Sequence, residues 1–287
     1  MWRGLERWLG LVRSLIIYWR PGRQRGLREL YRPFVGAGDL AFDVGAHLGD
    51  RTHAFRKLGA RVVALEPQPA VRRWLMRFVG RSEHVSIRAE ALGREVGTAR
   101  LALSRRTPTV SSLAEDWPNV LPERNPSFRG VRWDDSVEVQ VTTLDALIEE
   151  YGLPRFCKID VEGYEAKVLA GLSQPIPALS VEFVAGALDI AEACVRRLEA
   201  LSGYEFNAIE GEERRFMSKR WLAAEEMVAW LRGVGGNVTS GDVYARLRGE
   251  ADVGGDGEPE WRAGDGEPDW RAGDGEPDWR AAASNDG

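Results

Sequence analysis

The chain has 287 residues, enough for one large domain or two small ones. Lys and Arg number 39 against 44 Asp and Glu, a net charge of −5, which argues against a nucleic-acid partner, while 44% hydrophobic residues allow a sizeable core and exclude wholesale disorder. Two cysteines, Cys157 and Cys194, are too few for a disulfide framework or a Cys-rich zinc site; both sit in apolar patterns, as buried thiols of a reducing, cytoplasmic compartment do.

The chain begins basic. Residues 1–35 hold eight Arg and two Glu, a net +6. Leu5, Trp8, Leu9, Val12, Ile16 and Trp19 recur at helical spacing, with Arg3, Arg7 and Ser14 opposite. Pro21-Gly22 stops the pattern. Its apolar run, Leu9 to Trp19, is interrupted by Arg13 and falls short of the roughly 18–20 residues of a spanning helix. It also lacks a small-residue cleavage site, unlike a signal peptide. Two fates fit such a helix: packing on the protein's own body, or peripheral contact of residues 1–20 with an anionic membrane surface.

From residue 36 to 249 the rhythm is strand and helix, expected to be one domain. Leu40–Val44, Arg61–Leu65, Val85–Ala89, Phe156–Val161 and Leu179–Phe183 are short apolar runs, as in strands buried on both faces. Helical patterns lie between and after them at Asp50–Leu58, Pro69–Phe78, Tyr164–Leu172 and Asp189–Leu201. Repeated βα units predict an α/β fold with a doubly wound, mostly parallel sheet. Ala99–Ser104 and Ser136–Val141 alternate like an inserted antiparallel pair around a Pro- and Trp-rich loop, Thr107 to Trp133, a candidate substrate lid.

Residues 250–287 turn acidic, with twelve Asp or Glu against three Arg, a net −9. Three nine-residue units, GDGEPEWRA once and GDGEPDWRA twice, fill Gly255 to Ala281. Each offers one large apolar side chain, Trp, which cannot offset the entropy of ordering the rest. A disordered tail is expected, with a Trp-bearing interaction tail as the alternative. The acids lack EF-hand spacing.

The candidate site opens at Asp43-Val44-Gly45-Ala46-His47-Leu48-Gly49, where a strand ends and a helix begins. Gly45 lets the backbone approach a ligand, and Gly49 lets the helix start pack tightly. Free N–H groups at such a start favour an anion, and Asp43 is expected to project a carboxylate into the crevice. Glu66, 21 residues after Gly45, ends the next strand where Rossmann-like sites place the acid that receives ribose hydroxyls. The spacing is G-x-x-x-G, not the G-x-G-x-x-G of a pyrophosphate site. It suits S-adenosylmethionine, whose anion is a small carboxylate and whose ammonium needs an acid such as Asp43. A purely structural turn followed by a strand-terminal Glu is the alternative.

DVGAHLGD, ALEPQP, TTLDAL and FCKIDVEGYEAKVLAGL follow one another in this order. Together they resemble the FkbM-type methyltransferases over about Leu40 to Tyr204, more weakly to Tyr244. The most discriminating stretch is KIDVEG, Lys158 to Gly163. The resemblance implies a Rossmann-like class I methyltransferase that uses S-adenosylmethionine, with hydroxyls of sugars or secondary metabolites as acceptors. The family often carries Asn where this chain has His47.

Cofactor-binding residues are expected to be Asp43, Gly45, His47, Gly49, Glu66, Glu90 and Asp160. Lys158 and Asp160 share one strand face, beside the first strand, and overlook the donor. Asp160 is the first candidate general base and His47 the second; Lys158 orients substrate or is simply ion-paired. Glu162 either serves the site or accepts N–H bonds at the helix start. His53 and His84 read as packed or solvated. Asp160, Glu162 and Glu182 could bind magnesium, but nothing else in the sequence requires a metal, so none is assigned. Two other functions compete with methyl transfer. A nicotinamide oxidoreductase would need G-x-G-x-x-G and a Tyr-x-x-x-Lys pair, and a non-catalytic adaptor would not need intact Asp43, Gly45, Glu66 and Asp160.

Overall fold

The computed structural model of the chain describes residues 22–104, 107, 110–211, 213–233 and 238–249. The amphipathic stripe of residues 5–19 and the repeats of 255–281 lie outside the described residues.

Helix α1 (Arg23–Tyr31) leads into β1 (Leu40–Val44), α2 (Asp50–Lys57), β2 (Arg61–Leu65), α3 (Pro69–Phe78) and β3 (Val85–Arg88). Short β4 (Ala91–Leu92) and β5 (Gly97–Leu103) precede α4 (Trp117–Arg124), β6 (Asp135–Thr142) and α5 (Leu144–Tyr151). Then come β7 (Phe156–Ile159), α6 (Glu165–Leu169), β8 (Ala178–Val184), α7 (Leu188–Leu201), β9 (Tyr204–Glu210), α8 (Ala224–Gly233) and β10 (Ser240–Leu247).

Seven strands form one sheet in the order β3-β2-β1-β7-β8-β10-β9. The first five are parallel; β10 runs antiparallel to β8 and β9. All five residues of β1 are buried, as a central parallel strand covered by helices on both faces requires. Alternation divides them. Leu40, Phe42 and Val44 join the core with Leu144, Val168, Val195 and Val228, while Ala41 joins Phe55, Leu75 and Tyr244 on the other face. The crevice opens beside β1, where the chain turns from β2 on one side to β7 on the other.

Charge groups residues 23–35 with the basic head, but they pack in this core. Leu27, Leu30, Tyr31, Phe34 and Val35 are buried. Tyr31 meets Phe55 edge-on with centroids 4.7 Å apart, and Phe34 stacks on Tyr244 at 5.7 Å. Burial of Leu27 and Leu30 is worth roughly 1.5–3 kcal/mol each relative to exposure.

A second sheet, β4-β6-β5, holds the expected antiparallel pair, β5 with β6. The connection between them is not an open loop. Trp117 and Leu121 of α4 pack on Val184 and Ala187, and Asn125 Nδ2 donates to the Ala185 carbonyl at 3.0 Å. These contacts dock the expected lid on the end of β8. Helix α5 was missed as an element, although Thr143 caps it by accepting the Ala146 N–H at 3.1 Å. Strand β7 stops at Ile159, before the expected Val161, and the chain turns at Glu162, which has φ +55°.

Candidate active site

A cavity of about 250 Å³ lies at the carboxyl ends of β1, β2, β7 and β8. Its wall includes Gly45, His47, Arg51, Glu66, Glu90, Asp160, Glu162, Tyr164, Glu182 and Asp242. Leu92, Leu101 and Leu113 close it from the side of the second sheet.

Gly45 has φ +77°, and a Cβ there would collide with the carbonyl oxygen of Asp160. Glycine therefore lets the turn after β1 touch the end of β7. His47 follows with φ +48°. That left-handed conformation is several-fold enriched in Asn, Asp and His, a physical reason for His at this position. The His47 N–H donates to Glu66 Oε2 at 3.0 Å, so this strained turn is tied to the end of β2. Burial lowers the His47 pKa to about 4, which leaves the imidazole neutral near pH 7.

Glu66 accepts a second N–H, from Gln68, at 2.8 Å. Burial raises its pKa to about 7 against the pull of both N–H bonds. An ionised carboxylate offers about four acceptor positions. Two are used here, which leaves capacity for a ribose diol at a residue already on the cavity wall.

Asp43 is elsewhere than expected. It shares the face of Ala41, is 1% exposed, and accepts the Thr52 hydroxyl at 2.5 Å. Burial raises its pKa, opposed by Lys158, its register partner on β7. The cavity wall includes neither residue, nor Gly49. Gly49 instead starts α2 at φ +79°, where a Cβ would come within 2.6 Å of Leu75 Cδ1.

Lys158 Nζ lies 2.6 Å from Asp160 Oδ2, beneath the cavity floor. Burial opposes the lysine's charge, but Asp160 and Asp242 together outweigh it and raise the Lys158 pKa. Burial likewise opposes ionised Asp160, yet Lys158 and then Arg51 hold its pKa below the ordinary value. Glu162 and Glu182 behave oppositely: burial and then the Asp160 charge raise both pKa values well above normal. Asp160, Glu162 and Glu182 each bring a carboxylate oxygen within 4.8 Å of the other two. The three acids are thus brought together by β7, its turn and β8. Glu90 lines the cavity beside β3, paired with Arg88.

Three contributors escaped the sequence reading. Glu165, not Glu162, supports the turn: its Oε1 accepts the N–H groups of Val161 at 3.0 Å and Gly163 at 3.2 Å. Its place two residues after KIDVEG, at the start of the helical pattern, was the available signal. Arg51 follows the glycine turn directly, and its charge in the first turn of α2 was legible. Asp242 was not, since only the pairing of β10 with β8 sets it opposite Glu182.

The profile of the methyltransferase FkbM domain matches residues 43–235, from Asp43 near the end of β1 to beyond α8. The chain belongs to the FkbM methyltransferase family. This FkbM protein is a S-adenosylmethionine-dependent methyltransferase, and its sheet has the Rossmann-like class I arrangement. Comparison with curated protein sequences finds no match. Among solved structures, the chain is similar to a precorrin-6y C5,15-methyltransferase from Geobacter metallireducens, with 11% identity, TM-score 0.41, and coverage of 77% of this chain and 86% of that one. It is similar to an rRNA methylase from Streptococcus thermophilus, with 10% identity, TM-score 0.39, and coverage of 77% and 93%. It is also similar to a SAM-dependent O-methyltransferase from Thermotoga maritima, with 11% identity, TM-score 0.38, and coverage of 79% and 65%. None of the three bears on what this FkbM protein methylates.

Proposed function

We propose that the enzyme methylates a hydroxyl of a sugar or secondary-metabolite-type acceptor, held over the ends of β7 and β8. The observation that carries this reading is the convergence of Glu66 and Asp160 on one cavity, with Gly45 between them. Residues 36–249, with α1 packed beneath, are proposed as the catalytic body, and 250–287 as a tail that chemistry does not need.

Glu66 would receive the ribose hydroxyls, and Asp160 would meet either the acceptor hydroxyl or the donor's positive charge. S-adenosylmethionine supplies an electrophilic methyl group on a sulfonium. Transfer to a hydroxyl oxygen would break the carbon–sulfur bond, release S-adenosylhomocysteine and require the hydroxyl proton to leave. Asp160 is ionised at neutral pH because Lys158 lowers its pKa, so it is able to accept that proton. The same pairing makes it a weak base, so most of the acceleration is assigned to positioning and to exclusion of water. His47, neutral and on the same wall, is the second base candidate.

Incubation of the purified chain with methyl-labelled donor and a cell extract, followed by mass spectrometry, tests the reading. Label on a glycan or small-molecule oxygen is the expected result. Label on nitrogen, on carbon or on RNA would overturn the acceptor assignment while leaving methyl transfer intact.

A further inference from the structure

The strongest charge asymmetry in the cavity comes from its lone wall cation. Apart from Arg51, every charged residue on the described wall is acidic: Glu66, Glu90, Asp160, Glu162, Glu182 and Asp242. Arg51 is held in place by an ion pair that reaches outside the matched family region. Its Nη1 lies 3.0 Å from Asp50 Oδ2, and Arg23 of α1 reaches the same oxygen through Nη2 at 3.0 Å and Nε at 3.1 Å. Gln24 adds a hydrogen bond to the Asp50 carbonyl at 3.1 Å. The Arg23 and Asp50 side chains are 7% and 5% exposed, and that of Arg51 is 15% exposed.

Charge counting shows what Arg23 does. Asp50 with Arg51 alone would be a neutral pair. With Arg23 the trio carries +1, and the member on the cavity wall is Arg51. Burial opposes the Asp50 charge, but Arg51 and Arg23 outweigh it and keep the carboxylate ionised. Arg51 and Asp160 line the same cavity, and the Arg51 charge is one of those that lower the Asp160 pKa, so the cation shares the wall with the acids expected to meet the donor's cationic centre. A zwitterionic amino-acid arm needs this arrangement, a cation and an acid side by side.

We propose that Arg51 binds the carboxylate of the donor's amino-acid arm, and that Arg23, outside the family domain, is the positioning residue that lets it do so. This rests on the cavity being the donor site. Helix α1 thereby supports from behind a cavity whose wall comes from the matched domain and from β10.

The experiment compares two ligands by calorimetry: S-adenosylmethionine and its decarboxylated form, which keeps the sulfonium and amine but lacks the carboxylate. Wild-type protein should prefer the complete donor. Arg51→Gln should lose about tenfold or more in affinity for it, the size expected for a charge-assisted bond, and change little toward the decarboxylated form. Arg23→Met should lose the same preference in part, and Arg23→Lys should restore it. Removing Arg23 leaves a buried acid half-paired, so retained binding of the decarboxylated donor serves as the control for folding. An unchanged preference in Arg51→Gln overturns the proposal. Equal losses toward both ligands overturn it too, since they mark a general structural role. Failure of the donor-site reading is distinguishable: Glu66→Gln would then leave both affinities unchanged, and this proposal would fall with it.

Discussion

Glu66 titrates in the physiological range, which gives the proposed donor site a measurable pH signature. Its pKa lies at about 7, against 4.5 for an unperturbed glutamate, because burial outweighs two N–H bonds. The raised value means that the donor-free fold binds this proton more tightly than the unfolded chain does. The stabilising contribution is therefore present below pH 4.5 and is lost as pH rises through about 7. Ribose binding works in the opposite direction, since hydroxyls donate to the ionised form. At pH 6 about one Glu66 in eleven is ionised, so donor affinity should be about tenfold weaker than at pH 8. Glu66→Gln should bind the donor about tenfold or more weakly at pH 8 and show no such dependence. In the donor-free protein, wild type should gain about 2 kcal/mol relative to Glu66→Gln on going from pH 8 to pH 5. Calorimetry with S-adenosylhomocysteine at three pH values, and denaturant unfolding without it, measure the two effects. Glu165 also titrates near 7, raised by burial, so the variant is needed to assign the signal. Wild-type affinity that is flat from pH 6 to 8, or a pH slope that persists in Glu66→Gln, would refute the reasoning.

Asp160→Asn should leave donor affinity nearly intact while initial rate on an identified acceptor falls roughly 10²–10⁴-fold; near-normal turnover would move the base assignment to His47. If Asp160 instead neutralises the donor, calorimetric affinity and rate should fall together. A chain ending after Arg248 should keep its fold and donor affinity, because β10 is complete at Leu247; loss of soluble protein would show that the repeats pack. Full-length protein should float with anionic vesicles at low salt and less at high salt, each basic residue near the surface adding roughly 1 kcal/mol. Equal recovery with neutral vesicles would favour the packed-helix reading of residues 1–20.

Local chemistry made much of the frame legible before any coordinates. Apolar runs of five residues between helical patterns placed β1 and β2 to the residue, because strands buried on both faces admit little but Val, Ile, Leu, Phe and Ala. Gly45 was legible because a close backbone approach forbids a side chain. The distance from Gly45 to Glu66 was legible because one helix and one strand have fixed lengths.

Pairing decided the rest. A strand's alternation tells which residues share a face but not which face meets the ligand; that depends on its neighbours. Asp43 accordingly turned toward Thr52 and away from the cavity, while Lys158 took its place beside it in register. The docked segment around Trp117 looked like a loop because its partners, Val184 and Ala187, lie more than sixty residues away. The Arg23–Asp50–Arg51 trio and the Asp242–Glu182 opposition were equally invisible, since each joins elements that only the folded sheet brings together. The sequence by itself determined the class of fold, the family and the place of Glu66 at the end of β2. The tertiary structure alone decided which charges face the cavity, because desolvation and pairing act across space and leave no spacing to read.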